Sequence, residues 1–395
     1  MSTMKNPAFI PTKPIVGLLC NPCEWSAEAY GRNGFRKKAR LGEPAGVELL
    51  KIRLSDDNIK SAQRQGQLDC LRHHQGEFVP LKVQFADIAA VYDFYSENVP
   101  DCAKEIDPLY YRLANSLEEA GKPFVNPLHI RQVCMDKWKT HQAISAADIP
   151  MPATVLYSES GLRHLLNNEK LVFVKNRTGT EGEGQFVVRR HDGEYIARVK
   201  CLDVFRASSV ARIARFLEGQ GVDDNWIAQA GVESMRIDGR VMDFRAIFQR
   251  DSGRTLHETA TYARLGASGS YHSNIGAEPG KLGFSADPAS LLENWSDLGK
   301  KISGLGQKAI AVIEAWCGKL AGEAGVDIML SNSGGLYFIE ANTKPGHYGL
   351  EWLSKMHGGA WTDSFREFFL RPLRYAKSLC EQPAQDEPAF EMVIE

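Results

Sequence analysis

The sequence predicts an α/β chain, α+β in parts, with an open α/β domain at its N-terminal end and antiparallel strands farther on. Three observations carry that expectation. Short apolar runs alternate with helix-compatible segments over residues 1–125; later apolar runs are separated by Gly-rich turns; and residues 325–349 read as a hairpin with acids at matched positions. With 395 residues, 43% of them hydrophobic, the chain has room for two or three domains with real cores.

Composition excludes several classes. The net charge of −2 and the mixing of both signs leave no basic field for nucleic acid. No apolar run approaches the roughly 18 residues of a membrane span. Residues 1–13 are polar and lack the apolar core of a signal segment. The eight cysteines are scattered, which argues against a disulfide framework. A soluble, cytoplasmic protein is the expectation.

Residues 14–19 form a short apolar run closed by a Cys-Asn-Pro turn, a buried strand. Residues 30–41 carry five Lys/Arg and no acid. A solvated face is the ordinary explanation of such a run, and an anionic-substrate contact the sharper one. Residues 47–54 read as a second strand and 78–92 hold two further runs. Cys20, Cys23, Cys70, His73 and His74 include zinc-type ligands, but no second Cys-x-x-Cys occurs, so free thiols are favoured over zinc. Residues 109–120 are amphipathic. A helix is predicted over 128–147, with Lys137 on the apolar face of Val133 and Ile144, where it snorkels to water or meets an anion. Residues 149–154, with two prolines, are an extended connector.

Residues 171–175 are a strand ending in Lys175, and 185–189 its return. Between them Gly179, Gly182 and Gly184 leave amides open to phosphate oxygens, because no Cβ intervenes; a plain Gly-rich hairpin loop is the alternative. The lysine precedes the glycines and no helix follows, which excludes a Walker loop and a dinucleotide fingerprint. Residues 203–218 have helical period, and 226–232 form a strand. Residues 241–248 alternate, putting Asp243 and Arg245 on one face and Met242, Phe244, Ala246 and Phe248 on the other. Residues 259–265, a strand, carry Arg264. A long helix is predicted over 298–324 and further helix over 351–379, broken by Pro372. The acidic tail from 381 has the composition of a disordered segment.

The hairpin pairs residues 326–330 with 336–341 around the turn 331–335. Asp327 and Glu340 lie 13 residues apart and Asn342 follows, a spacing that brings three oxygen ligands to one face. Such hard ligands suit Mg²⁺ held with nucleotide phosphates, and buried acids without a partner would be costly. A solvated hairpin edge with chance acids is the alternative.

Taken in order, Lys137, Lys175 with its glycine loop, residues 229–232, Asp243-x-Arg245, Arg264, Asn274, Asp327 and Glu340-x-Asn342 resemble the ATP-grasp carboxylate–amine ligases. The resemblance covers about residues 125–350. The segments D-F-R-A-I-F-Q-R, A-R-L-G and I-E-A-N-T-K-P-G are most similar to the YheC/YheD-like branch, then to the RimK/glutathione synthetase-like branch. The resemblance implies a pre-ATP-grasp α/β domain (1–125) followed by a two-lobed ATP-grasp fold of antiparallel sheets with helices. Its lobes would be a small subdomain with the lid loop (126–228) and a large subdomain with the metal site (229–380), before a flexible tail (381–395).

The same resemblance implies residue roles. Lys137 and Lys175 would hold the α- and β-phosphates. The loop with Gly179, Thr180, Gly182 and Gly184 would close over the γ-phosphate. Gln229, Ala230, Gly231 and Val232 would be the hinge at the adenine edge, and Asp243 would accept the ribose hydroxyls. Asp327, Glu340 and Asn342 would bind two Mg²⁺, with Mn²⁺ able to substitute. Arg264 would stabilise the transferring phosphoryl group and the oxyanion, and Arg245 would hold the substrate carboxylate. Asn274, Lys344, Gly346 and His347 would meet substrate. His272 stands where the glutathione synthetase-like pattern has a second arginine, so the acceptor pocket is expected to differ.

The implied chemistry is ATP-dependent activation of a carboxylate as an acylphosphate, followed by attack of an amine. Positioning and charge neutralisation carry it, without a covalent enzyme nucleophile. A non-catalytic coat or structural protein and a small-molecule kinase are the rivals. The expected partners are small carboxylates and amines, with neither nucleic acid nor membrane; a homodimer is compatible with them.

Overall fold

The computed structural model describes residues 11–21, 35–74, 77–95, 106–179, 185–199, 202–273 and 283–381. Cys23, Thr180, Gly182, Gly184, Asn274 and residues 382–395 lie outside the described residues. The chain is mixed α/β, and its described residues build three sheets.

The first sheet has the order β4-β3-β2-β1-β5. It comprises β1 (Ile15–Leu19), β2 (Glu48–Ile52), β3 (Gln67–His74), β4 (Glu77–Gln84) and β5 (Ile88–Asp93). β2, β1 and β5 run parallel, while β3 and β4 return antiparallel. The apolar run of β1 is buried throughout, because both faces are covered. One face packs Leu50, Ile52 and Cys70 against α3 (Ile106–Glu119) through Tyr110, Leu113 and Leu117. The other packs Val16, Leu18 and Cys20 against the C-terminal helix through Leu370, Leu373 and Leu379. Cys20 and Cys70 therefore face opposite sides of the sheet, and no group of three or more His, Cys, Asp and Glu gathers for a metal among the described residues.

Among the described side chains of the basic run, Lys38 departs from a solvated face. Lys38, on α1 (Phe35–Ala45), is fully buried, its ammonium 4.2 Å from the Tyr92 ring centre and 4.7 Å from that of Phe94. It donates to the Tyr92 hydroxyl, which donates to Glu323 at 2.7 Å. Burial pulls its pKa down to about 8, against the opposing pull of Glu323.

The second sheet, β10-β9-β8-β7-β11-β6, is antiparallel throughout. Its strands are β6 (Thr154–Leu156), β7 (Leu171–Asn176), β8 (Phe186–His191), β9 (Glu194–Val199), β10 (Leu202–Ala207) and β11 (Trp226–Ala230). Residues 202–207 are thus strand, and the helix predicted from 203 begins only at Val210, as α7 (Val210–Gly219).

The third sheet has the order β15-β14-β13-β16-β17, with β12 (Arg236–Ile237) also paired to β13. It consists of β13 (Arg240–Arg250), β14 (Leu256–Leu265), β15 (Phe284–Ala286), β16 (Glu323–Leu330) and β17 (Leu336–Asn342). Met242, Phe244, Ala246, Phe248, Val326 and Ile328 form its apolar face, against α8 (Trp295–Cys317). The opposite face carries the polar side chains that the alternation predicted.

Three helix boundaries correct the sequence expectation. The segment 128–147 is two helices, α4 (Leu128–Met135) and α5 (Lys137–Ser145). Asp136 between them is extended (φ −100, ψ 106), and its carboxylate caps α5 by accepting from the N–H of Trp138 at 2.9 Å. Lys137 therefore opens its own helix instead of continuing the face of Val133. The long helix stops at Gly318, whose φ of 64 is a left-handed cap, and residues 323 onward are already strand. Pro372 does not break α10 (Gly359–Glu381), which follows α9 (Tyr348–His357). The carbonyl that a proline leaves without its i+4 donor, Phe368 O, accepts instead from Gln249 Nε2 at 2.8 Å. No helix among the described residues is long and apolar enough to cross a membrane.

Candidate active site

Strand register builds the charged face of the third sheet. Asp243 pairs with Arg264, Arg245 with Asp327, Asp327 with Glu340, and Gly325 with Asn342. Directly opposed residues of antiparallel strands share a face, so these side chains form one patch. Arg245 donates through Nε and Nη2 to the two Asp327 oxygens, the second at 2.9 Å. Arg264 Nη2 reaches Asp327 at 2.8 Å, and its Nε donates to Asp243 Oδ1 at 2.8 Å. The Ser273 hydroxyl closes the ladder on Asp243.

This ladder is buried: Asp243 and Asp327 are each 3% exposed. Burial alone would push the Asp327 carboxyl up, but the Arg245 and Arg264 guanidiniums hold it below the ordinary carboxylate value. Burial opposes the charge on Arg264, and Asp243 and Asp327 reverse that, fixing it as a cation. Both arginines bond here through Nε and Nη2, which among the described residues leaves Nη1 of each for an incoming oxyanion.

The ladder bears on three expectations. Asp243 accepts from Arg264 on both oxygens and from Ser273, so it orients Arg264, and a ribose hydroxyl would have to share those oxygens. Asp327 is held by two cations, so a metal here would compete with both guanidiniums, and Arg245 is tied bidentately to it instead of presenting its whole fork to a substrate. Glu340 and Asn342 remain: Asn342 Nδ2 donates to Glu340 Oε1 at 3.1 Å, so the two turn to one spot. Glu340 lines the cleft beside both lysines. One carboxylate and one amide oxygen fit Mg²⁺, which usually takes one or two protein carboxylates and completes its shell from phosphates and water.

The cleft lies between the second and third sheets, lined by Lys137, Lys175, Gln229 and Glu340 together with Cys134, Thr140, His141, Met151, Phe338 and Ile339. Lys137 donates to Gly179 O, and its own N–H donates to Arg177 O at 2.9 Å. Arg177 in turn pairs with Asp136 at 2.6 Å, fastening the start of α5 to the end of β7. Lys175 donates to Gln229 Oε1 at 2.8 Å, and Gln229 donates to Thr154 at 3.0 Å. Burial lowers the Lys175 pKa to about 8 despite Glu340, and Lys137 adds to the lowering. Burial lowers Lys137 too, against Glu340 and Asp136. The cavity measures about 20 Å³, room for about one water. The two ammoniums must therefore exchange their protein partners for those of any larger anion that enters.

At the hinge, the N–H groups of Ala230 and Gly231 are donated to Ala153 O and Leu171 O, both at 2.8 Å, so these two do not face a base. Val232 lies beyond the strand pairing. A Cβ on Gly231 would lie 2.7 Å from Leu171 Cδ2, so only glycine permits this approach. Of the expected substrate residues, Lys344 is half-buried and Gly346 exposed on the turn before α9. His347 points inward: it is 5% exposed, packed on Phe369 at 5.5 Å and near Glu351 at 3.6 Å, a core position. His272, the departure from the pattern, bonds Gln185 at the return of the glycine loop, 3.0 Å away.

Cys134, Thr140, His141, Met151, Phe338 and Ile339 were not foreseen as cleft residues. Their signal was faint: Lys137 and His141 are four apart on one helix, and Phe338 and Ile339 directly precede Glu340.

The YheC/D like ATP-grasp family matches residues 126–379, and the chain belongs to it. The endospore coat-associated protein YheD of Bacillus subtilis (strain 168) is 24% identical over 268 residues, covering 62% of this chain and 58% of that protein. The chain thus spans less than two thirds of that relative's length. Among solved structures, D-cycloserine synthetase DcsG matches with a TM-score of 0.54 and 13% identity, over 93% of this chain and 99% of that one. D-alanyl-alanine synthetase A from Vibrio cholerae O1 matches with a TM-score of 0.51 and 14% identity, over 91% and 99%. An N5-carboxyaminoimidazole ribonucleotide synthetase, in its ADP complex, matches with a TM-score of 0.54 and 14% identity, over 91% and 77%. At these identities the likeness is one of fold.

Proposed function

We propose that this ATP-grasp protein is an ATP-dependent ligase that activates a substrate carboxylate as an acylphosphate and joins it to an amine, releasing ADP and phosphate. The observation that carries the reading is the meeting of two charge systems: Lys137, Lys175 and Glu340 in the cleft, and the Arg245–Asp327–Arg264–Asp243 ladder on the adjoining sheet face. Mg²⁺–ATP, when bound, supplies the phosphoryl group that turns a carboxylate oxygen into a leaving group.

The chain's own residues divide the remaining work. Lys137 and Lys175 neutralise phosphate oxygens as point charges. Glu340 and Asn342 would hold the metal. Nη1 of Arg264 and of Arg245 would face the substrate carboxylate and the oxyanion that forms on it. Asp243 and Asp327 keep both guanidiniums charged and aimed, so that little reorganisation is needed as charge develops. Val232 would meet the base at the hinge.

A structural role without turnover is the second reading, favoured by the coat association in the name of the 24% identical relative. An ADP-release screen over amino acids and small acids, with Glu340→Ala as control, separates the two. Release that needs both a carboxylate and an amine, and that the control lacks, supports the ligase. ADP binding without release in any mixture supports the structural role.

A further inference from the structure

His141 stands apart among the polar side chains of the cleft. Lys137 bonds Gly179, Lys175 bonds Gln229, Gln229 bonds Thr154, Thr140 bonds Val133 O, and Glu340 accepts from Asn342. His141 Nδ1, by contrast, is buried and has no hydrogen-bond partner among the described residues. Its ring is fixed by stacking on Trp138, with centres 5.1 Å apart and planes 25° from parallel. Burial lowers its pKa, so the ring is neutral and Nδ1 can serve as donor or acceptor according to tautomer. Nearly all buried polar atoms in folded proteins are satisfied, so an orphan in a cleft wall calls for an explanation, and an entering ligand would supply one.

The surroundings indicate which part of a nucleotide that is. His141 lies one helical turn beyond Lys137, away from the loop that Lys137 grips. It lines the cleft with Met151, Phe338 and Ile339, apolar side chains that an opened cleft would offer to a flat ring. The Phe338 N–H donates to Pro150 O at 2.8 Å, which ties β17 to the connector before β6, so a ring enters here only as the second and third sheets part. Asp243 and the N–H groups of Ala230 and Gly231, the polar groups expected to read the nucleoside, are committed within the protein.

We propose that His141 Nδ1 is a specificity-determining hydrogen-bonding group for the purine base of the bound nucleotide. This rests on the nucleotide reading of the cleft. Nδ1 of a neutral imidazole can accept from the amino group of a purine edge or donate to a ring nitrogen, according to tautomer, whereas a lysine only donates.

The test compares two substitutions of nearly equal shape that differ in polarity, His141→Asn and His141→Leu, in the full chain with magnesium. Two probes are titrated: ATP, which carries base and phosphates, and tripolyphosphate, which carries phosphates alone. Removing one hydrogen bond to the base is expected to weaken ATP binding about tenfold in His141→Leu, with His141→Asn losing less than about threefold. Tripolyphosphate affinity stays within about twofold of the parent in both. Equal loss of ATP affinity in the two variants, no loss in either, or tripolyphosphate weakening in step with ATP overturns the assignment. Failure of the parent chain itself to bind ATP instead removes the nucleotide reading, and this inference with it.

Discussion

Two halves of one sheet face, built from the same strands, show how burial and charge can serve different ends. Near the cleft, β13, β14 and β16 present Arg245, Arg264, Asp243 and Asp327. Toward the other end the same strands present Gln249, Thr259 and Glu323. That second group is sealed: Gln249 bonds Glu323 at 3.0 Å and Phe368 O, Thr259 bonds Gln249, and Lys38 with Tyr92 closes on Glu323 from the first sheet. The first group saturates its acids but leaves an Nη1 on each arginine. Alternation puts both groups on one face; what distinguishes site from structure is whether α10 and the first sheet cover it.

Breaking the open half should have the largest effect. Arg264→Ala removes an oxyanion donor, so turnover is expected to fall about 10²–10³-fold, read as ADP release under saturating substrates. It also strips a cation from two buried acids, so denaturant melts should show a loss of roughly 3–5 kcal/mol. An unchanged rate would place the chemistry elsewhere. Breaking the sealed half should divide the two readouts. Glu323→Ala leaves Lys38 buried among aromatic rings without its acid and is expected to cost roughly 3 kcal/mol of stability, with ATP affinity of the folded protein unchanged within about twofold. A specific loss of ATP binding would show that the two halves are not separate.

A smaller effect tests the cleft itself. The Lys175 pKa is about 8 in the free protein, so its charge is complete only below that pH. ATP affinity should be flat below about pH 8 and then fall by up to tenfold per unit, a change that calorimetric titration across pH 7–9.5 would resolve. For folding the sign is reversed. The unfolded lysine, with its ordinary value of 10.5, keeps its proton longer, so the free protein should gain stability as pH rises from about 8 to 10.5. Lys175→Met should flatten the affinity profile.

Legibility in the sequence followed the same division. β13, β14 and the hairpin were readable because one face is apolar and the other polar, which makes period 2 visible at Met242, Phe244, Ala246 and Phe248. β9 and β10 were not, since β10 exposes Leu202 and Val204 at a sheet edge, where no burial imposes the pattern. The break at Asp136 and the unbroken helix at Pro372 depend on partners distant in sequence, Arg177 for the first and Gln249 for the second. The site residues were recognisable by type and spacing, but their pairing was not. Whether Asp243 meets a ribose or Arg264 depends on strand register. His141 and the apolar cleft walls carry no motif, so only the packing of α5 against β17 brings them into view.

The most direct measurement follows an oxygen atom. With a carboxylate and amine pair that supports ADP release, the carboxylate is supplied with both oxygens labelled as ¹⁸O and the released phosphate is analysed by mass spectrometry. Activation through an acylphosphate transfers one labelled oxygen into each phosphate released, with the other retained in the amide product. Unlabelled phosphate, or phosphate that stays on the substrate, contradicts the ligase assignment.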